Sequence, residues 1–182
     1  VSRNETGDLL VNNRENRFFI QMDEQQLWSI LDEVKDPEIP VISLVDLGVI
    51  RSVDFTDSEN PKIIITPTYS GCPAMQVMEE DISVRLKLAG IKSFKIETVL
   101  SPAWTTDWIT DKGRKALQDY GIAPPEQTTS DKSALLGHPK EVTCPNCKSR
   151  NSKMLSQFGS TPCKALYQCK DCQEPFDYFK CI

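Results

Sequence analysis

The 182-residue sequence predicts an α+β fold: a small α/β sandwich followed by a separate cysteine-built module at the C-terminal end. Three observations predict it. Apolar residues run at helical spacing in some segments and alternate in others, in the order helix, two strands, helix, strand, helix. The strand–helix–strand succession within that order implies a parallel crossover. Six of the seven cysteines fall in the last 42 residues, a density of about 14% against the roughly 8–10% that marks a metal- or disulfide-built module.

The elements follow in order. Residues 1–20 have no clean period and read as an N-terminal arm. Over 21–35, Met22, Leu27, Ile30, Leu31 and Val34 keep helical spacing, with Asp23 placed as the N-cap. The helix must stop at Asp36-Pro37, because the residue before a proline is pushed out of the α region. The stiff stretch Asp36-Pro37-Glu38-Ile39-Pro40 reads as a loop. Residues 49–55 and 62–66 read as two strands joined by a six-residue turn, an antiparallel hairpin. A helix over 74–88 places Met75, Met78, Ile82 and Leu86 on one face and ends at Ala89-Gly90. A third strand over 93–100 and a last helix over 106–120, closed by Gly121, complete the body at 21–122. The Pro-, Thr- and Ser-rich stretch 123–140 reads as a linker, and 141–182 is the cysteine module.

Composition excludes several classes. No run approaches the roughly 18–20 apolar residues of a membrane span, and the first residues lack the apolar core of a secretory signal. The expectation is a cytoplasmic protein whose thiols stay reduced. A net charge of −5, with only 6 basic against 4 acidic residues in the cysteine module, disfavours nucleic acid as a partner.

In the module, Cys144-Pro145-Asn146-Cys147 and Cys169-Lys170-Asp171-Cys172 are two C-x2-C knuckles. Four thiolates from two such turns suit one tetrahedral ion, with Zn–S bonds of about 2.3 Å. So short a piece cannot bury enough core to fold alone, and a metal supplies the missing free energy. With short strands over 153–158 and 165–168 between the knuckles, this reads as a zinc ribbon with structural zinc on Cys144, Cys147, Cys169 and Cys172. A disulfide staple conflicts with the reducing compartment. Zinc and iron both accept four thiolates. Cys163 and Cys181 exceed what one ion needs. They are either small buried residues flanking the ribbon or an additional metal site.

Cys72, the seventh cysteine, stands at Ser70-Gly71-Cys72-Pro73 just before the second helix. Pro73 suits the first helical position, which puts Cys72 at or near the N-cap, where the helix dipole favours a thiolate. Such a thiolate serves as a nucleophile, a redox centre or a metal ligand; a capping cysteine without chemistry is the plain alternative. The only histidine, His138, lies in the linker and pairs with Cys72 only if that segment folds back. No C-x2-C partner supports dithiol redox chemistry. A ligand or carrier role survives best. Asp36, Glu38 and Asp46 either line the same site or act as caps and turn residues.

Three stretches, Asp36-Pro37-Glu38-Ile39-Pro40-Val41, Val45-Asp46-Leu47-Gly48-Val49-Ile50 and Thr66-Pro67-Thr68-Tyr69-Ser70-Gly71-Cys72-Pro73, resemble the metal–sulfur cluster assembly family of small α+β domains. Together with the terminal ribbon, the chain from about Gln25 onward is similar to the accessory proteins of the phenylacetyl-CoA epoxidase system of aerobic phenylacetate degradation. The resemblance implies a non-catalytic role in maturing iron–sulfur or diiron centres. Cys72, Asp36 and Glu38 would then be the cluster-handling residues, and the knuckle cysteines the ribbon ligands. The cargo it implies is a transient iron–sulfur cluster or iron. The partners it implies are the epoxidase reductase, which carries flavin and a plant-type cluster, and the oxygenase subunits. A homo-oligomer, two copies sharing a cluster at Cys72, is a further expectation. The other reading of the chain is a structural subunit of the same complex.

Overall fold

The computed structural model describes residues 22–125 and 142–180. The N-terminal arm, most of the linker with His138, and Cys181 lie outside the described residues.

Helix α1 (Glu24–Asp32) begins where the sequence places it. The Asp23 side chain accepts from the backbone N–H of Gln26, and the Gln26 side chain accepts from the N–H of Asp23, closing a capping box. The helix ends earlier than expected. Lys35 bridges to Ser43, and Asp36 donates its N–H to the carbonyl of Ile42, so the chain turns into a compact loop before the prolines.

Strands β1 (Ile50–Asp54) and β2 (Lys62–Ile65) form the expected antiparallel hairpin. Helix α2 (Met75–Leu88) then crosses over to β3 (Lys95–Thr98), which pairs with β2 in parallel, giving the sheet order β1-β2-β3. Leu27 and Leu31 of α1, Met78, Ile82 and Leu86 of α2, and Ile63 and Ile65 of β2 are buried together. Each such side chain contributes about 1.5–3 kcal/mol by leaving water.

The last helical segment is split. A single 3-10 turn (Thr106–Trp108) is followed by Thr110, which caps α3 (Asp111–Asp119) by accepting from the N–H of Gly113. The split seats α3 against the 43–48 loop. Thr110 Oγ1 donates to Asp46 at 2.7 Å, and Lys112 pairs with both Asp46 at 2.8 Å and Asp32 at 2.6 Å. Two glycines allow this approach. Gly48 is left-handed (φ +75°), and a Cβ there would meet Trp108 at 2.7 Å. A Cβ on Gly113 would lie 2.8 Å from the Asp46 carbonyl oxygen. Replacing a helical glycine by alanine ordinarily stabilises by about 0.5–1 kcal/mol. Gly113→Ala is expected to do the opposite, destabilising by about 1–3 kcal/mol through overpacking against backbone, as read by urea denaturation.

The C-terminal module is a four-stranded sheet. Strands β5 (Ser152–Ser156) and β6 (Lys164–Cys169) make the expected hairpin, and β7 (Pro175–Phe179) pairs antiparallel with β6. The edge strand β4 is Ile122–Ala123, which pairs in parallel with β7. The chain therefore enters the second sheet at the boundary where composition alone suggests a linker. Tyr167, Phe176 and Tyr178 form the module's aromatic core, with ring centroids 5.6–6.0 Å apart. Cys163 and Phe179 belong instead to the core of the first domain, where Phe179 meets Trp104 edge-on at 6.1 Å. The two domains are thus joined both by backbone pairing, through β4, and by buried side chains.

Candidate functional site

One cluster of sulfur emerges from this fold, and a second, mixed cluster of side chains stands around Cys72. In the ribbon the four knuckle sulfurs lie within 4.8 Å of one another. Cys144 Sγ is 3.8 Å from Cys172 Sγ, and Cys147 Sγ is 3.5 Å from Cys169 Sγ. A regular tetrahedron with bonds of about 2.3 Å has an edge of about 3.8 Å, so the donor set fits a four-coordinate ion. The knuckles are built alike. Cys144 and Cys169 donate their N–H groups to the carbonyls of Ser149 and Glu174, five residues on in each case. The residue after each second cysteine, Lys148 and Gln173, is left-handed at φ 64°. The N–H of Cys172, with that of Asp171, brings the Cys169 thiol down to about 7, while Cys172, despite the Glu174 N–H, is pushed up by desolvation and by the sulfurs of Cys147, Cys169 and Cys144. With all four positions protein-filled, the site has no open position for chemistry.

The second cluster gathers around Cys72. Helix α2 starts later than the proline suggests: its N-cap is Ala74, and Cys72 lies in the preceding turn, with the N–H of Met75 reaching the Cys72 carbonyl at 3.3 Å. The N-cap argument for a thiolate at Cys72 goes with it. Burial pushes the Cys72 thiol up. A hydrogen bond from the Ala74 N–H pulls the other way, and the nearby charges of Glu38 and Asp36 add to the rise. Desolvation outweighs the helix end, and Cys72 rests as a thiol. Alkylation by iodoacetamide at neutral pH is therefore expected to be slower than that of a free cysteine and to accelerate in Glu38→Gln; mass spectrometry of the Cys72 peptide reads both.

Asp36 and Glu38 divide the work of the loop. Asp36 is buried, and its Oδ1 accepts from the N–H groups of Glu38 and Ile39 at 2.8 Å each. Burial nevertheless raises its pKa. It therefore fixes the loop that presents Glu38. Glu38 is half-buried and turns its Oε2 to Cys163 Sγ at 3.5 Å. Tyr69 adds a hydrogen bond to the Cys72 sulfur, a contact that sequence reasoning missed even though Tyr69 lies in the same short stretch. Asp46 does not join the group; Ser43, Thr110 and Lys112 engage it on the other side of the loop.

Fold and clusters together define a class: a small iron–sulfur assembly domain carrying a cysteine-built β-ribbon. Residues 24–98 match the family of iron–sulfur cluster assembly proteins, and residues 128–180 match the PaaD zinc beta ribbon domain. Over 157 residues the chain is 45% identical to an Escherichia coli (strain K12) protein whose name makes it a subunit of 1,2-phenylacetyl-CoA epoxidase, covering 86% of this chain and 92% of that one. It belongs to the PaaD family. Over 103 residues it is 33% identical to an "Fe-S protein maturation auxiliary factor" of Porphyromonas gingivalis, covering 56% of this chain and 96% of that protein. A Bacillus subtilis protein, "Fe-S protein maturation auxiliary factor YitW", is 28% identical over 95 residues, 52% of this chain and 92% of its own length. Among the described residues no helix is long and apolar enough to cross a membrane.

Proposed function

We propose that this chain is a non-catalytic accessory protein of aerobic phenylacetate degradation that matures the iron–sulfur or diiron centres of the phenylacetyl-CoA epoxidase complex in the cytoplasm, with Cys72 holding the cargo. The observation that carries this reading is the match of residues 24–98 to the iron–sulfur cluster assembly family, with a half-buried Cys72 that feels the charges of Glu38 and Asp36. A cargo carrier must bind a metal and let it go. A thiol held protonated at rest binds by giving its proton to solvent, and the same buried setting favours the proton's return on release. Glu38 supplies negative charge that a cation welcomes and a second thiolate would not. The ribbon, with zinc on Cys144, Cys147, Cys169 and Cys172, is structural and offers a rigid docking surface. The recipients are the epoxidase reductase, as the carrier of a cluster, and the oxygenase subunits.

The name of the Escherichia coli relative favours a second reading, a structural subunit of the same complex. Lysates of cells lacking the chain distinguish the two. Adding reductase and oxygenase subunits already loaded with their metal centres is expected to restore phenylacetyl-CoA epoxidation. Failure to restore it, with recovery only on adding this chain, would establish the structural reading instead.

A further inference from the structure

We infer that the outer edge of β3 is a docking surface for a second copy of this chain. The two strands pair antiparallel about a two-fold axis at Ile96 and join the two three-stranded sheets into one.

Strand β3 ends the order β1-β2-β3, so among the described residues it has β2 on one side and no strand on the other. Such an edge is a template for another strand. The inner bonds fix which backbone groups face outward. The N–H groups of Lys95 and Val99 donate to the carbonyls of Pro61 and Ile65, on the β2 side. Alternation along the strand therefore turns the N–H and C=O groups of Phe94, Ile96 and Thr98 to the free edge. In an antiparallel ladder centred there, Ile96 exchanges hydrogen bonds with Ile96 of the second copy, and Phe94 with Thr98.

The side chains at this edge are complementary to themselves. Lys95 and Glu97 lie on the sheet face away from α2, where Glu97 pairs with Lys62 at 2.9 Å and with Lys95 at 3.2 Å. An edge lysine ordinarily blunts a strand against pairing. About an axis at Ile96 it does not, because Lys95, whose side chain is 65% exposed, falls opposite Glu97 of the second copy, and Glu97 opposite Lys95. These are the non-hydrogen-bonded positions, where side chains approach more closely.

Helix α2 obeys the same axis. Phe94 and Ile96 face it, and with Glu80, Val84 and Lys87 they line an open groove of about 620 Å³. Thr98 Oγ1 donates to Glu79 at 2.8 Å, which fixes the level of the helix against the strand. Two residues back along β3 span about 6.6 Å, the length of about four residues of a helix that runs the other way. Ile96 is therefore level with Ser83 and Val84. The axis that pairs Lys95 with Glu97 also sets Glu80 opposite Lys87 of the second copy. It places Val84, 55% exposed in the single chain, between the two helices. A second copy meets both charge patterns through one symmetry operation. Cys72 lies in the turn that leads from the carboxyl end of β2 into α2. Antiparallel copies put those ends far apart, so the two chains join without sharing a cluster at Cys72.

Light scattering on the zinc-loaded full chain after gel filtration tests this. The wild type is expected at twice the chain mass of 20.5 kDa. Lys95→Glu and Glu97→Lys each set like charges opposite one another. Each should weaken the dimer by at least about tenfold and run as a monomer. An equal mixture of the two variants should recover the dimer, because every cross-strand pair then joins opposite charges again. That recovery also shows that both variants are folded. Hydrogen exchange at the Ile96 and Thr98 amides should be slow in the wild type and fast in either variant alone. A wild type that is monomeric at every concentration overturns the inference. So does a dimer that both variants keep, or a mixture of folded variants that stays monomeric. If the wild type is monomeric and those amides become protected only when epoxidase subunits are added, the edge belongs to another protein and the second copy is excluded.

Discussion

Cys144→Ser is expected to cost the chain its zinc and unfold the ribbon. Structural zinc in small modules supplies an apparent ~10–16 kcal/mol at neutral pH, more than the aromatic cluster of Tyr167, Phe176 and Tyr178 can replace. Zinc per chain should fall from one toward zero, and the near-ultraviolet circular dichroism of that cluster should collapse. The effect should not stop at the ribbon. Phe179 is 1% exposed and packs on Trp104 in the other core, while β4 enters the ribbon sheet directly from the end of the assembly domain. Truncating a buried phenylalanine costs about 3–5 kcal/mol, so release of the ribbon should also lower the melting temperature of the assembly domain. Chelation of the wild type should reproduce both changes. Acid should do so too, because the zinc-bound state holds thiolates that protons reclaim as pH falls. A Cys144→Ser chain with full near-ultraviolet signal would contradict the account.

Cys72→Ser is expected to have the reverse profile, a fold left intact and a function lost. Serine preserves the size of the side chain and accepts the same hydrogen bonds from the Ala74 N–H and Tyr69. Stability should move by no more than about 0.5–1 kcal/mol. The alcohol, however, does not ionise at neutral pH and is a poor ligand for iron beside a thiolate. Losing a ligand outright should reduce cargo transfer at least as much as the ~10–100-fold cost of disturbing a ligand's hydrogen-bond partner. The pairing of an unchanged melting temperature with a large functional loss separates a working thiol from a packing residue.

Much of this was legible in the residues. Asp23 marks the N-cap of α1, the β-branched run Ile63-Ile64-Ile65 marks β2 as a strand, and the two C-x2-C knuckles announce a four-sulfur site. What escaped has a common cause, because it depends on partners distant in the chain. Strand β7 opens on Pro175, which weakens a strand reading, and becomes secure only once Phe176 and Tyr178 face Tyr167. Strand β4 has two residues, too few to show a period. The proline at position 73 pointed to a start of α2 two residues early, and the consequence for Cys72 was a thiol governed by burial rather than by a helix end. Cys163 read as an unassigned ribbon cysteine because its carboxylate neighbour belongs to the other domain. Asp36 and Glu38 fall where the resemblance puts them, but their division into a loop-fixing acid and a sulfur-facing acid needed the hydrogen bonds.

The central claim is that the chain loads metal centres through Cys72, and the most direct measurement is iron and acid-labile sulfide per reductase isolated from cells. Cells carrying Cys72→Ser in place of the wild-type chain should yield reductase with flavin present but iron and sulfide reduced at least about tenfold, while the variant itself accumulates normally with one zinc. Reductase with full iron and sulfide from those cells would contradict the account.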